Sequence, residues 1–315
     1  MFSVKKEPFG DFSRLKLCND ERGEYVSIIP EFGANVNEIV LSDGRRTFSV
    51  LEGDKTYSDL AENKWFRGAK LIPFPNRINN GKYSYRENEY TLPINFPSQN
   101  HAIHGLIYNK KFRVKKIQKT KGSASVLLEY RYRKDVSGYP FDINIVIRYS
   151  LSKKGFGCVT KIVNAGNTDA PVGDGWHPYF KITGSVDHLM LKIPSARKIR
   201  VDKKMIPTGK FAHFAEFESL RQIRNIEFDT GFALPAKNGI ANTELYDSKQ
   251  NVRVCVWQET GKQKYNYLQV FIPASRKSIA IEPMTCNTDA FNNKDGLILL
   301  KPRQCFVAGY GVYIK

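Results

Sequence analysis

Cysteine is scarce in this chain of 315 residues: five in all, at 18, 158, 255, 286 and 305. They are odd in number, far apart and never in a CxxC pair, which excludes a disulfide framework and a cysteine-built zinc cage. No apolar run approaches the length that spans a bilayer. The opening MFSVKKEPFGDFSRLKL has no segment fit for a signal peptide, so the expectation is a cytoplasmic protein with no membrane partner. Helical periodicity is nearly absent, with short candidates only around Tyr57–Trp65 and Phe217–Ile223. Strands therefore do not alternate with helices, and a doubly wound α/β fold is excluded. Neither a Gly/Ser-rich linker nor a repeat divides the chain, which predicts one domain over 1–315. P-loop, GxGxxG, HExxH and GxSxG motifs are also missing. GFGCVT, from Gly155, begins like a glycine-rich loop but lacks its third glycine and lies in a strand-like run. No nucleotide cofactor is expected.

Acidic residues are few against basic ones, 31 to 49, a formal charge of +18. Such an excess raises nucleic acid or a phosphorylated ligand as a partner. Its distribution argues otherwise, because Lys and Arg are spread along the whole chain. The densest knot, Lys110, Lys111, Arg113, Lys115 and Lys116, falls in strand and turn sequence. With no finger spacing, RNP-type motif or long basic helix, a solvated basic surface is the preferred reading, without nucleic acid.

Period-two alternation is abundant. In FDINIVIRYSL, Phe141, Ile143, Ile145, Ile147, Tyr149 and Leu151 share one face. LEYRYR sets Leu128, Tyr130 and Tyr132 against Glu129, Arg131 and Arg133, and VRVCVW aligns Val252, Val254 and Val256. Runs at 265–272, 278–282 and 305–314 are rich in β-branched and aromatic residues, and turn clusters such as Asn79-Asn80-Gly81 punctuate the chain. These signals predict an all-β protein, one large antiparallel sandwich.

Histidine is also rare, with five copies: His101, His104, His177, His188 and His213. His177 sits in GDGWHPYF, where Pro178 favours an extended backbone and projects the ring sideways. By itself it reads first as a satisfied core residue, with a metal ligand or a proton carrier as the alternatives. His101 and His104 form HxxH, but in a loop entering a strand a spacing of three points the rings to opposite faces, and no third ligand stands out; metal binding is not favoured. PFPNRI places Asn76 and Arg77 behind two prolines, and His104 precedes a glycine that permits close backbone approach. Glu282 ends the apolar run Ile279-Ala280-Ile281, where a carboxylate must be ion-paired or in use.

Taken together, these segments resemble the aldose 1-epimerase (galactose mutarotase) family. PFPNRI at 73–78, AIHGL at 102–106, GWHPYF at 175–180 and IEPMTCNTDAFN at 281–292 match in chain order, with looser matches in IPTG at 206–209 and FDTGF at 228–232. The resemblance spans roughly residue 65 to the C-terminus. It implies the galactose-mutarotase-like antiparallel β supersandwich, in agreement with the strand pattern, and an isomerase that interconverts the anomers of free aldohexoses such as galactose and glucose. It also implies roles: Glu282 as general base, His177 as general acid, and Arg77, His104 and Asp229 as holders of the sugar. The expected partner is a small-molecule aldose, the expected state a monomer or homodimer, with no cofactor and no metal. Trp176, Tyr179 and Phe180 are candidate aromatic walls, with core packing open for at least one of them. Tyr108 departs from the family pattern beside HGL and is expected to alter the cleft wall.

Three rival readings remain open at this point. A mutarotase for hexose 6-phosphates would need Arg or Lys clustered beside the cleft. A non-catalytic carbohydrate-binding protein on the same fold would need neither Glu282 nor His177. A glycosidase would need a second carboxylate, for which Asp229 is the available partner.

Overall fold

A computed structural model describes residues 1–315. Three antiparallel sheets carry most of the chain. The first five strands, Phe2–Phe9, Phe12–Asn19, Glu24–Ile29, Asn35–Ser42 and Thr47–Ser49, form a meander in sequence order. A nine-stranded sheet runs Arg113–Lys119, Ser123–Arg133, Asp142–Ser152, Gly155–Asn164, Cys305–Ile314, Val252–Thr260, Gly239–Asp247, Met190–Lys192 and Arg221–Gln222. The third, six-stranded sheet runs Tyr179–Phe180, Ile279–Met284, Tyr267–Phe271, Asp229–Ala233, Arg197–Val201 and Pro207–His213.

The alternation read from the sequence is the alternation observed. Along Asp142–Ser152 the buried residues are Ile143, Ile145, Ile147, Tyr149 and Leu151, one pleat apart and all on the same face. A single apolar cluster of 64 buried residues draws side chains from all three sheets, among them Val26, Ile145, Val254, Val270 and Ile281. The layers are therefore fused through shared apolar burial, and the architecture is the expected antiparallel supersandwich. The basic strand Arg113–Lys119 is exposed at every position on the edge of the large sheet, where lysines discourage further strand pairing.

One helical expectation holds and one fails. Tyr57–Glu62 is helical, capped by Thr56, whose hydroxyl accepts from the Asp59 amide. Around 217–223 there is no such helix: a short 3₁₀ turn at Ala215–Phe217 is followed by the two-residue strand Arg221–Gln222. Phe217 and Ile223 are buried there as single anchors rather than as a helical stripe. No helix is long and apolar enough to cross a membrane.

Candidate active site

The register of the six-stranded sheet builds the floor of a cavity. Glu282 faces Gln269 across one strand pair, and Gln269 faces Gly231 across the next. A second row on the same face sets Tyr179 opposite Ala280, Ala280 opposite Phe271, and Phe271 opposite Asp229. Alternation sends Ile279 and Ile281 into the core and turns Ala280 and Glu282 to the other face. A Cβ on Gly231 would lie 3.2 Å from Gln269 Oε1, so the missing side chain lets the Gln269 amide lie flat over that strand.

The walls come from loops gathered over this floor. Trp176–His177 pairs with Ala69–Lys70, placing His177 opposite Ala69, and the Gly68 amide donates to the His177 carbonyl at 2.9 Å. Arg77 pairs with Ile103, one residue before His104, and the His104 amide donates to the Asn76 carbonyl at 2.9 Å. Asn76 and His104 both adopt left-handed backbone, φ +57° and +62°, an uncommon conformation that turns both residues out of their strands. Gly105 follows at φ +77°, with no room for a Cβ against the Ile72 backbone.

The rings form a continuous stack. Phe66 lies 4.8 Å from His104, His104 meets His177 edge-on at 4.8 Å, and His177 stacks on Tyr179 at 5.0 Å. His177 Nε2 is 3.5 Å from Glu282 Oε1, in contact but beyond a good hydrogen bond. Arg77 reaches Asp229 at 3.6 Å, and the Gln269 amide donates to Asp229 at 2.6 Å. The cavity so enclosed holds about 540 Å³, within the usual range of small-molecule sites.

Burial governs the electrostatics. Glu282 is 2% exposed and has no lysine or arginine partner. Desolvation, reinforced by the Asp229 charge, raises its pKa well above the ordinary carboxylate value, against the opposing pull of Arg77. Desolvation likewise pushes His177 down to about 3. His104 is held well below its usual value by burial, then by His177 and Arg77. The ordinary titration ranges of a carboxylate and an imidazole therefore do not describe this site. Burial thus favours the protonated form of Glu282 and the neutral form of His177. Glu282 Oε2 and the Nδ1 atoms of His104 and His177 are buried without a protein hydrogen-bond partner, three polar atoms that would satisfy themselves on a hydroxylated ligand.

All five residues singled out from the sequence, Arg77, His104, His177, Asp229 and Glu282, line this one cavity. His101 does not: its Nδ1 accepts from the Asn80 amide and its Nε2 meets the Lys204 carbonyl, away from His104. Of the three proposed aromatic walls, only Tyr179 lines the cavity. Trp176 and Phe180 are fully buried, with Trp176 stacked on Tyr310 at 5.1 Å, because they lie on the core side of the pleat that turns His177 and Tyr179 outward. The other aromatic surfaces are Tyr108, expected from the sequence, and Phe32, Trp65, Phe66, Phe96 and Phe271, which were not. Tyr108 is indeed a wall, edge-on to Phe66 at 5.0 Å. Gln269 was missed as well; its signal was its place opposite Glu282, which only register reveals.

Comparison with known proteins bears on the family and the fold. The aldose 1-epimerase family matches residues 14–309. An uncharacterised Escherichia coli K12 protein, YihR, is 31% identical over 255 residues, covering 78% of this chain and 79% of its own. Among solved structures, a galactose mutarotase-like protein from Clostridium acetobutylicum superposes with a TM-score of 0.87 at 25% identity, over 100% of this chain and 98% of that one. Galactose 1-epimerase from Lactobacillus acidophilus shares the fold at a TM-score of 0.81 and 17% identity, over 100% and 98% of the two chains. With the family match running over nearly the whole length, the chain belongs to the aldose 1-epimerase family.

Proposed function

We propose that this protein interconverts the α and β anomers of free aldohexoses such as galactose and glucose, with Glu282 and His177 as its acid–base pair. The observation that carries this reading is the pair itself, 3.5 Å apart on a buried floor and free of any cationic side-chain partner. Mutarotation breaks the C1–O5 bond of a cyclic hemiacetal, rotates the aldehyde about C1–C2, and closes the ring on the other face. Opening takes a proton from O1 and gives one to O5, so the groups flanking the hemiacetal need one proton between them. Closure returns both protons, and the pair ends as it began.

Glu282 takes the O1 proton and His177 supplies O5, with the single proton of the pair carried by His177 when sugar is bound. Sugar hydroxyls that donate to Glu282, helped by the Arg77 charge, favour the carboxylate over the acid. Arg77, His104 and Asp229 hold the remaining hydroxyls, with the Gln269 amide beside Asp229. Tyr179 and Phe271 offer flat faces to the sugar's C–H surface.

The charge of the lining favours a free sugar over a hexose 6-phosphate. Glu62, Asp229 and Glu282 face only Lys64 and Arg77 as fixed cations, and Arg77 already lies beside Asp229. With the one proton of the Glu282–His177 pair counted, the lining carries no net positive charge to attract a phosphate. Asp229 is tied to Gln269 and Arg77, which suits a hydroxyl acceptor better than the second acid of a glycosidase.

Polarimetry of freshly dissolved α-D-glucose and α-D-galactose tests the reading. Wild type accelerates the approach to equilibrium, whereas Glu282→Gln and His177→Asn each lose about a hundred- to ten-thousand-fold in turnover and still bind sugar. Wild-type rates in either variant would refute the assignment.

A further inference from the structure

The catalytic cavity is not the largest concavity of the molecule. Adjoining it is a groove of about 820 Å³, and Glu62, Lys64 and Trp65 line both. Trp65 stands at the junction and is 39% exposed, an unusual position for an indole, which a fold normally buries. Arg67 joins the two spaces from behind: it pairs with Asp54 of the groove at 3.0 Å, and its guanidinium lies 5.8 Å from the centre of the Tyr179 ring, the ring that stacks on His177.

The chemistry of the groove is polar and electrically balanced. Its acids, Glu38, Glu52, Asp54, Asp59 and Glu62, are matched by as many lysines and arginines. Several are already paired, as Lys181 is with Glu52 at 3.2 Å. Such a lining gives an ionic ligand no net attraction and offers donors and acceptors to a neutral, hydroxylated one. The exposed indole supplies the flat apolar face on which the C–H side of a pyranose rests.

Resting on the mutarotase reading above, we infer that the preferred substrate is the reducing end of a neutral oligosaccharide, with its second sugar in this groove against Trp65. The reaction permits it. Anomer exchange uses only C1, O1 and O5 of the reducing residue, so a glycosidic link at another hydroxyl leaves the chemistry untouched. Binding energy from the remote unit then raises kcat/KM without any change at Glu282 or His177.

The test compares kcat/KM for anomer exchange, by polarimetry and proton NMR, on glucose, galactose, maltose, lactose and isomaltose. Wild type is expected to favour at least one disaccharide over the monosaccharides by about tenfold, the equivalent of about 1.4 kcal/mol of added contact. Gly184 lines the groove and not the catalytic cavity, and a Cβ there meets nothing within 4 Å. Gly184→Trp therefore fills the groove, abolishing the disaccharide preference while monosaccharide rates persist. Trp65→Ala lowers disaccharide rates more than monosaccharide rates. Monosaccharide turnover with no disaccharide preference overturns the groove assignment and leaves the mutarotase standing, as does an equal effect of Gly184→Trp on both classes. Turnover of none of the five sugars overturns the mutarotase reading, and the groove assignment with it.

Discussion

Lys70→Met is expected to be among the most destabilising single changes in this protein. Lys70 and Asp174 are both fully buried, and their charged atoms lie 2.6 Å apart. The ammonium is also bonded to Thr160 Oγ1 at 3.0 Å and the Tyr310 hydroxyl at 3.3 Å, and Asp174 accepts from the Tyr265 hydroxyl at 2.6 Å. The pair sits directly behind the floor of the candidate site. Lys70 stands opposite Trp176 in register, and the Asp174 amide and carbonyl both bond to Thr285, three residues beyond Glu282. Methionine fills much of the lysine's volume but leaves Asp174 as an uncompensated buried charge, a loss of about 3–5 kcal/mol. At about 2.1 cal/mol/K of unfolding entropy per residue, 315 residues give about 0.7 kcal/mol per degree, so Tm should fall by about 4–7 °C. Asp174→Asn added to Lys70→Met removes the stranded charge and keeps an acceptor for Tyr265. The double variant should recover most of the loss. Differential scanning calorimetry measures both, and a Lys70→Met Tm within a degree of wild type would refute the argument.

Two further outcomes follow from the shared proton of Glu282 and His177. The pH profile of kcat/KM should be bell-shaped: the acid limb near 3, where His177 takes a second proton, and the alkaline limb well above the ordinary carboxylate value of 4.5, where Glu282 loses its only one. An alkaline limb at 4.5 would refute the burial argument. The same pair shapes stability. At pH 4.5 the folded pair holds its proton on Glu282, whose pKa burial raises well above that value, and the unfolded pair holds one on its histidine. Below 4.5 the unfolded chain protonates its glutamate while folded His177 waits until about 3, so the unfolded state binds more protons and stability falls with pH, by about 2 kcal/mol over that window. Urea denaturation at pH 5.5 and 3.0 should show this extra loss in wild type and not in the His177→Asn/Glu282→Gln double variant; equal losses would refute it.

Much of the fold was legible because its elements obey a local rule. A half-buried strand must alternate, and Asp142–Ser152 and Val252–Thr260 do so over lengths that leave no other reading. The helix expected around 217–223 failed where that rule has least purchase. Two buried anchors, Phe217 and Ile223, mimic a helical spacing when nothing local reveals that the chain between them is pulled into the end of a sheet. The same alternation held unused information about the aromatic walls. His177 and Tyr179 are two residues apart and share a face, which sends Trp176 and Phe180 to the other; the parity of GWHPYF thus separates site from core even across Pro178.

The candidate site was legible in its members and illegible in its electrostatics, and the reason is physical. Arg77, His104, His177 and Glu282 lie in four segments whose proline, glycine and apolar neighbours mark each as constrained, and it was the resemblance of those segments to a known family that implied acid–base work on a sugar. A pKa, in contrast, is set by everything packed around the group. Glu282 is desolvated by loops more than a hundred residues earlier in the chain, His177 among them, and its charged neighbour Asp229 arrives through the register of two strand pairs. Lys70 and Asp174 escaped notice for the same reason, since neither carries a local sign that its partner is a hundred residues away. What the sequence could not contain was the location of the proton. A buried carboxyl that favours its protonated form and a neutral imidazole 3.5 Å off make a site whose ionisation, under the proposed mechanism, inverts when sugar hydroxyls replace the low-polarity surroundings, and that inversion would be a property of the packed site rather than of either residue.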